Sequence, residues 1–161
     1  MDVMDAIMAR RNIKKFKTDP VAREQVLSWL EAASYAPNHR MTEPWEIVFI
    51  GPETRIKLNH KANFGDAPVL LALLSQPASS QLARDENVIA AASFAQNFQL
   101  AATAAGLGVT WSSLGAAAHN RELMEVPGDY DVIGILGIGY PAEIPPVKPR
   151  TPITEKMREL P

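Results

Sequence analysis

The sequence predicts an α+β fold in a single domain spanning residues 1–161. Three observations lead there. Strand-like and helix-like segments alternate irregularly, which argues against a doubly wound parallel sheet. Pro68 to Ser75 contains an unbroken apolar run (Val69-Leu70-Leu71-Ala72-Leu73-Leu74), the pattern of a buried strand. Asp85 to Leu107 is the longest helical stretch, and residues such as Val88, Ile89, Phe94, Ala95, Phe98 and Ala102 cover nearly its whole circumference. A small domain has difficulty surrounding such a helix. A second copy of the chain is one natural cover; a central position within one chain is the other.

The remaining elements follow in order. Asp2 to Arg10 reads as a short helix with Val3, Ile7 and Met8 inward. Asp19-Pro20 marks a helix start, and Val21 to Tyr35 sets Val26, Leu27, Leu30 and Ala33 at helical spacing. Ala36-Pro37-Asn38-His39-Arg40 breaks that helix. Glu46 to Ile50 is a strand ending at Gly51-Pro52, and Glu53 to Lys61 is a short helix. Beyond the long helix, Val109 to Ser113 and Val132 to Ile138 read as strands, with a short helix from Asn120 to Met124 between them. From Pro141 the chain is proline-rich and irregular, with a few helical residues after Thr154.

Composition narrows the function. A net charge of −2 argues against a general nucleic-acid binder. The chain has no cysteine, which removes disulfides, zinc–thiolate sites, iron–sulfur clusters and thiol nucleophiles together. The first basic residues follow a short apolar run, the wrong order for a signal peptide, and no stretch reads as a membrane span. The expectation is a cytoplasmic protein with neither membrane nor nucleic acid as partner.

Four features can carry chemistry. Arg10, Arg11, Lys14, Lys15 and Lys17 form a basic cluster with no acidic residue from Ala6 to Thr18. Such a cluster is either a solvated helix end or the grip on a dianionic phosphate, for which guanidinium geometry is well suited. Ala36-Pro37-Asn38-His39-Arg40-Met41-Thr42-Glu43-Pro44-Trp45 is a loop stiffened by proline at both ends, suited to holding a planar ligand. Gly106-Leu107-Gly108-Val109-Thr110-Trp111-Ser112-Ser113 is glycine-rich, but it follows a helix and precedes a strand. A dinucleotide fingerprint needs the reverse order, so the Rossmann fold is rejected. The stretch is a helix cap with a core strand, or a strand whose backbone approaches a flat ligand. Lys148-Pro149-Arg150 is a charged tail or two further donors to the same phosphate.

Taken together, the order and spacing of these features resemble the nitroreductase family. The resemblance rests on Arg10-Arg11-x-x-Lys14-x-Phe16, on Ala36-Pro37…Pro44-Trp45 entering a strand, and on Asp66-Ala67-Pro68 before the next. The long Ala-rich helix running into Gly106-Leu107-Gly108-Val109, the Gly137-Ile138-Gly139-Tyr140-Pro141 turn and Lys148-Pro149-Arg150 complete it. It covers essentially the whole chain and is strongest for the small, compact branch, where a His follows the second helix as His39 does here. It implies a central, mostly antiparallel sheet of about four to five strands flanked by helices. It also implies a homodimer with FMN at the interface and NAD(P)H as electron donor. Arg10, Arg11, Asn12 and Lys14 would hold the phosphate and ribityl end, with help from Lys148 and Arg150. Pro37, Asn38 and His39 would border the ring system. Trp111, Ser112 and Ser113 would lie along the flavin with backbone N–H groups near its reactive edge.

The chain also departs from the family pattern. Asn12 replaces a usual Ser and Lys14 a frequent Arg, while Met41 and Glu43 stand where Asn and Gln are common. Tyr35 sits where close relatives carry a base. The short link from Ile50 to Pro68 implies a trimmed substrate-pocket insertion. The expected activity is ping-pong electron transfer from NAD(P)H to a nitroaromatic, quinone or similar electron-poor acceptor. The alternatives are dehalogenation or flavin breakdown on the same fold, a non-catalytic FMN carrier or redox-sensing dimer, and a binding module without flavin.

Overall fold

A computed structural model describes residues 1–160. Four strands form one sheet: β1 (Trp45–Phe49), β2 (Val69–Ser75), β3 (Gly108–Ser112) and β4 (Asp131–Gly139). Their order is β1-β2-β4-β3 and every pairing is antiparallel. The helices are α1 (Val3–Ala9), α2 (Arg23–Ala33), α3 (Pro52–Leu58), α4 (Gln81–Ala104) and α5 (Ala118–Leu123). The α+β class and the strand count agree with expectation.

The apolar run at 69–74 is explained by the sheet's two covered faces. Side chains alternate across a strand. Leu71 and Leu73 point with Leu136 and Ile138 into a cluster completed by Val26 of α2 and by Phe94, Ala95 and Phe98 of α4. Leu70, Ala72 and Leu74 point the other way, with Ile135, into a cluster containing Ile13, Phe16, Leu58, Phe64 and Met124. The amino-terminal basic run is therefore anchored on the face opposite α4.

The ladder between β2 and β4 slips between Leu73 and Leu74, which pair with Gly134 and Val132. The carbonyl of the skipped Ile133 accepts the Trp111 indole N–H at 3.1 Å. The ring lies against Gly134, where a Cβ would come within 2.2 Å of its Nε1. Trp111 is thus fixed at both its backbone and its ring.

The long helix starts at Ser80, whose hydroxyl accepts the Ala83 N–H at 3.2 Å. It ends in a Schellman arrangement: Gly106 at φ +81, Leu107 N–H to Ala102 O at 2.9 Å, and Gly106 N–H to Thr103 O at 2.9 Å. Its Ala90, Ala91, Phe94, Ala95, Phe98 and Ala102 are buried within one chain, whereas Ile89 is 65% exposed. One chain therefore covers only part of it.

The orientation expected for α1 is reversed. Ala6 is its buried residue, while Val3, Met4, Ile7 and Met8 are all exposed. Helical spacing marks an apolar stripe but not which body covers it. Among the described residues no helix is long and apolar enough to cross a membrane.

Candidate functional site

The segment after α1 is held by backbone bonds on three sides. Ile13 N–H donates to Val109 O at 3.1 Å, Phe16 N–H to Gly65 O at 2.9 Å and Lys17 N–H to Tyr140 O at 2.8 Å. Ile13 and Phe16 are buried, so Lys14 and Lys15 between them face outward. Ala142 N–H donates to Lys15 O at 3.0 Å, which lays the chain after β4 alongside. The result is a cleft of about 730 Å³ lined by Arg10, Arg11, Asn12, Lys14 and Lys15 on one side and by Glu143, Pro145, Pro146, Lys148 and Arg150 on the other. All six residues expected at the phosphate line this one cleft.

Its charge is unbalanced. Six cationic side chains line it against one carboxylate, Glu143. Among the described residues the only contacts within 4.0 Å between a basic nitrogen and a carboxylate oxygen are His39–Glu86 and Arg84–Asp131, and neither lies in the cleft. Arg11 is partly engaged: its Nη1 donates to Met8 O at 2.6 Å and to Arg10 O at 2.9 Å, closing the end of α1. Arg150 Nη1 donates to Lys148 O at 3.1 Å. Asn12 accepts the Trp111 backbone N–H on its Oδ1 at 3.0 Å, joining the cleft to β3.

The other expected contacts lie elsewhere. Pro37, Asn38 and His39 line no part of the cleft. Asn38 braces its own loop: its amide donates to Ala36 O at 3.2 Å and its Oδ1 accepts the Glu43 N–H at 3.0 Å. That brace spans Arg40 (φ 52), Met41 (φ 55) and Glu43 (φ 44), all in the left-handed region. His39 Nδ1 stands 4.0 Å from a Glu86 carboxylate oxygen on α4. At the end of β3, the Trp111 N–H and indole are both engaged, and Ser112 Oγ accepts the Leu114 N–H at 3.2 Å. Ser113 is exposed. Of the backbone donors expected beside a flavin, that of Trp111 is already taken.

Glu143, Pro145 and Pro146 line the cleft without having been singled out, and Lys15, part of the basic cluster, lines it though the family resemblance did not assign it to the phosphate. For Lys15 a signal existed, since it sits between two apolar residues that must both turn inward. Glu143 carried none, because its position depends on the crossing of two segments far apart in sequence.

The family model described as Nitroreductase family matches residues 7–63 and 53–140. The chain belongs to that family. YfhC of Bacillus subtilis (strain 168), named as a candidate NAD(P)H nitroreductase, is 36% identical over 97% of this chain and 93% of its own length. A nitroreductase-like family protein from Bacillus cereus superposes with a TM-score of 0.90 at 29% identity, covering 99% of this chain and 96% of that one. An NADPH:FMN oxidoreductase from Vibrio harveyi, solved with NAD+, gives 0.89 at 26% identity, covering 98% and 76%.

Proposed function

We propose that this nitroreductase-family chain is an FMN-dependent NAD(P)H oxidoreductase, built of single-domain subunits paired in a homodimer with the cofactor at the interface. The observation that carries the proposal is the cleft in which six cations meet one carboxylate with no ion pair among them. Uncompensated cations on a rigid backbone attract a dianion, and charge-assisted hydrogen bonds to phosphate are the strong ones. Arg10, Lys14, Lys148 and Arg150 would hold the phosphate, with Arg11 and Asn12 bordering it. A cleft of about 730 Å³ has room for a phosphate and its polyol tail. The relationship to a protein named as an NADPH:FMN oxidoreductase supports the same cofactor.

When bound, FMN supplies the electron transfer itself, taking two electrons from NAD(P)H and passing them to an acceptor. The chain's own residues bind and orient. Pro37, Asn38 and His39 would border the ring from the partner subunit, which accounts for their distance from the cleft. The exposed apolar Val3, Met4, Ile7 and Met8 of α1 and Ile144, Val147 and Met157 of the tail support a covering second copy. Donor and acceptor would use the same face in turn, which predicts ping-pong kinetics with a nitroaromatic or quinone.

The test is flavin binding followed by turnover. FMN should bind far more tightly than riboflavin, and equal affinity would overturn the phosphate assignment. Initial rates of NAD(P)H oxidation at several fixed quinone concentrations should give parallel double-reciprocal lines. Tight FMN binding without NAD(P)H oxidation would instead assign a carrier or sensor. Sedimentation should show a dimer, and a flavin-holding monomer would end the interface reading.

A further inference from the structure

The turn between α3 and β2 runs through consecutive left-handed residues, and its backbone packs directly against the cleft-lining segment. Asn63 (φ 44), Phe64 (φ 53), Gly65 (φ 67) and Asp66 (φ 60) are four consecutive residues in the left-handed region. Glycine, Asn and Asp enter this region readily, whereas the bulky Phe64 does not. Such a run persists only where its surroundings over-determine it. Here they do so from two directions. Arg55 donates to Asn63 Oδ1 at 2.9 Å, Asn63 O at 2.8 Å and Ala67 O at 2.6 Å. His60 Nδ1 accepts the N–H of Ala62 at 3.2 Å and of Phe64 at 3.0 Å, and its ring stacks on Phe64 with centroids 4.2 Å apart. Because Nδ1 accepts, His60 holds this turn only as the neutral imidazole with its proton on Nε2.

The strained backbone meets the cleft-lining segment with no space between them. A Cβ on Gly65 would stand 2.4 Å from Lys14 O and 2.8 Å from Lys14 C, and Gly65 O accepts the Phe16 N–H at 2.9 Å. Lys14 and Lys15, which line the cleft, therefore rest on Gly65 through their main chain. Glycine at this position permits both the positive φ and the close approach.

We propose that residues 60–66 form the positioning element of the phosphate cleft, with His60 and Gly65 setting where Lys14 and Lys15 present their ammonium groups. The inference rests on the FMN reading above. His60 and Gly65 touch no ligand; they act through the Lys14–Phe16 backbone. Displacing that backbone weakens contacts to the phosphate and leaves contacts to the ring unaltered.

The experiment measures FMN and riboflavin affinity by flavin fluorescence quenching for the wild type, Gly65→Ala, His60→Leu and His60→Asn. Asn offers an Oδ1 where the histidine offers Nδ1, so it can accept the same two N–H groups, whereas Leu cannot. The expected result is a drop of about tenfold or more in the FMN-to-riboflavin affinity ratio for Gly65→Ala and His60→Leu, the scale of one misplaced charged hydrogen bond. His60→Asn should keep the wild-type ratio. If Gly65→Ala does not fold, the two His60 variants decide. Unchanged ratios in folded variants, with only a lower unfolding midpoint, would overturn the inference while leaving the FMN reading standing. A wild type without preference for FMN over riboflavin would overturn both.

Discussion

Two segments of this chain are rich in polar side chains, and they use them in opposite ways. From Arg10 to Lys17 the backbone is bonded on three sides while Lys14 and Lys15 stay outside, with no ion-pair partner among the described residues and facing a common cleft. From Ala36 to Glu43 the side chain of Asn38 is turned inward to brace the loop, and the cleft is out of reach. Residue types alone made the two look alike as ligand-binding stretches. What separates them is whether the backbone satisfies itself. Where it does, as at Lys14 and Lys15, side chains are available to a ligand; where it does not, as at Asn38 and in part at Arg11, a side chain completes the turn.

The largest test of that difference reverses a charge at the cleft and just outside it. Arg10→Glu should lower FMN affinity by about 10- to 100-fold or more, since a charged hydrogen bond is worth roughly 1.5–3 kcal/mol and repulsion adds to its loss. Lys17→Glu, in the same basic run but not lining the cleft, should change it little. Equal losses in equilibrium titration would mean that general positive charge, not a built site, attracts the flavin.

The next test acts on the braced loop. Asn38→Ala removes two hydrogen bonds and leaves three left-handed residues without their clamp. The expected cost is about 1–2 kcal/mol of stability, or roughly 3–6 °C in Tm for a chain of this size. The preference for FMN over riboflavin should be unchanged. A lost preference with an unchanged Tm would invert the roles of the two segments.

How much of this was legible in the sequence follows the same division. The sheet was readable because Leu70 to Leu74 can be buried on both faces only between two apolar layers, and Gly106 announced the end of α4. Which way the basic run faces was readable, because cations interleaved with Ile13 and Phe16 have one way to turn; that the tail completes a cleft with it was expected only from the family resemblance. The place of Glu143 was not readable, since Ala142 meets Lys15 only through tertiary pairing. Nor was the outward face of α1: Val3, Ile7 and Met8 form a stripe whether the chain or a second copy covers it. The role of Asn38 was hidden for another reason. An amide that clamps a turn and an amide that binds a ligand have the same one-letter code.

Asn12 sits between the two behaviours, lining the cleft while its Oδ1 holds the Trp111 N–H. Asn12→Ala should cost about 1 kcal/mol, the scale of one such bond. Asn12→Asp keeps the acceptor, so it should recover stability while placing a carboxylate among the cations and weakening FMN. Denaturant midpoints and flavin titrations on both variants separate the structural role from the electrostatic one. A stable Asn12→Asp that binds FMN as well as the wild type would remove position 12 from the phosphate's surroundings.

The smallest effect is a pH dependence that should appear beneath the cleft and not in the braced loop. Burial lowers the His60 pKa from its ordinary 6.5. The unfolded chain therefore takes up the proton first as pH falls, and stability, fully present above about pH 6.5, declines below it toward the lower folded value. Asp131 acts in the same direction but further down: the Arg84 hydrogen bond holds its carboxyl below the ordinary 3.8, so that contribution is present above 3.8 and is lost at more acid pH. The His60 contribution begins to fall near pH 6.5, well above where that of Asp131 does. Flavin binding is the poorer readout here, because a phosphate monoester itself takes up a proton near pH 6. Urea midpoints of the flavin-free protein avoid this. Between about pH 7.5 and 5 the wild-type midpoint should fall, and His60→Asn, which cannot titrate, should flatten the curve. Asn38→Ala should lower the curve without changing its shape, since the group it removes carries no proton to gain. Superimposable curves for the wild type and His60→Asn would show that the turn under Lys14 does not depend on a neutral histidine.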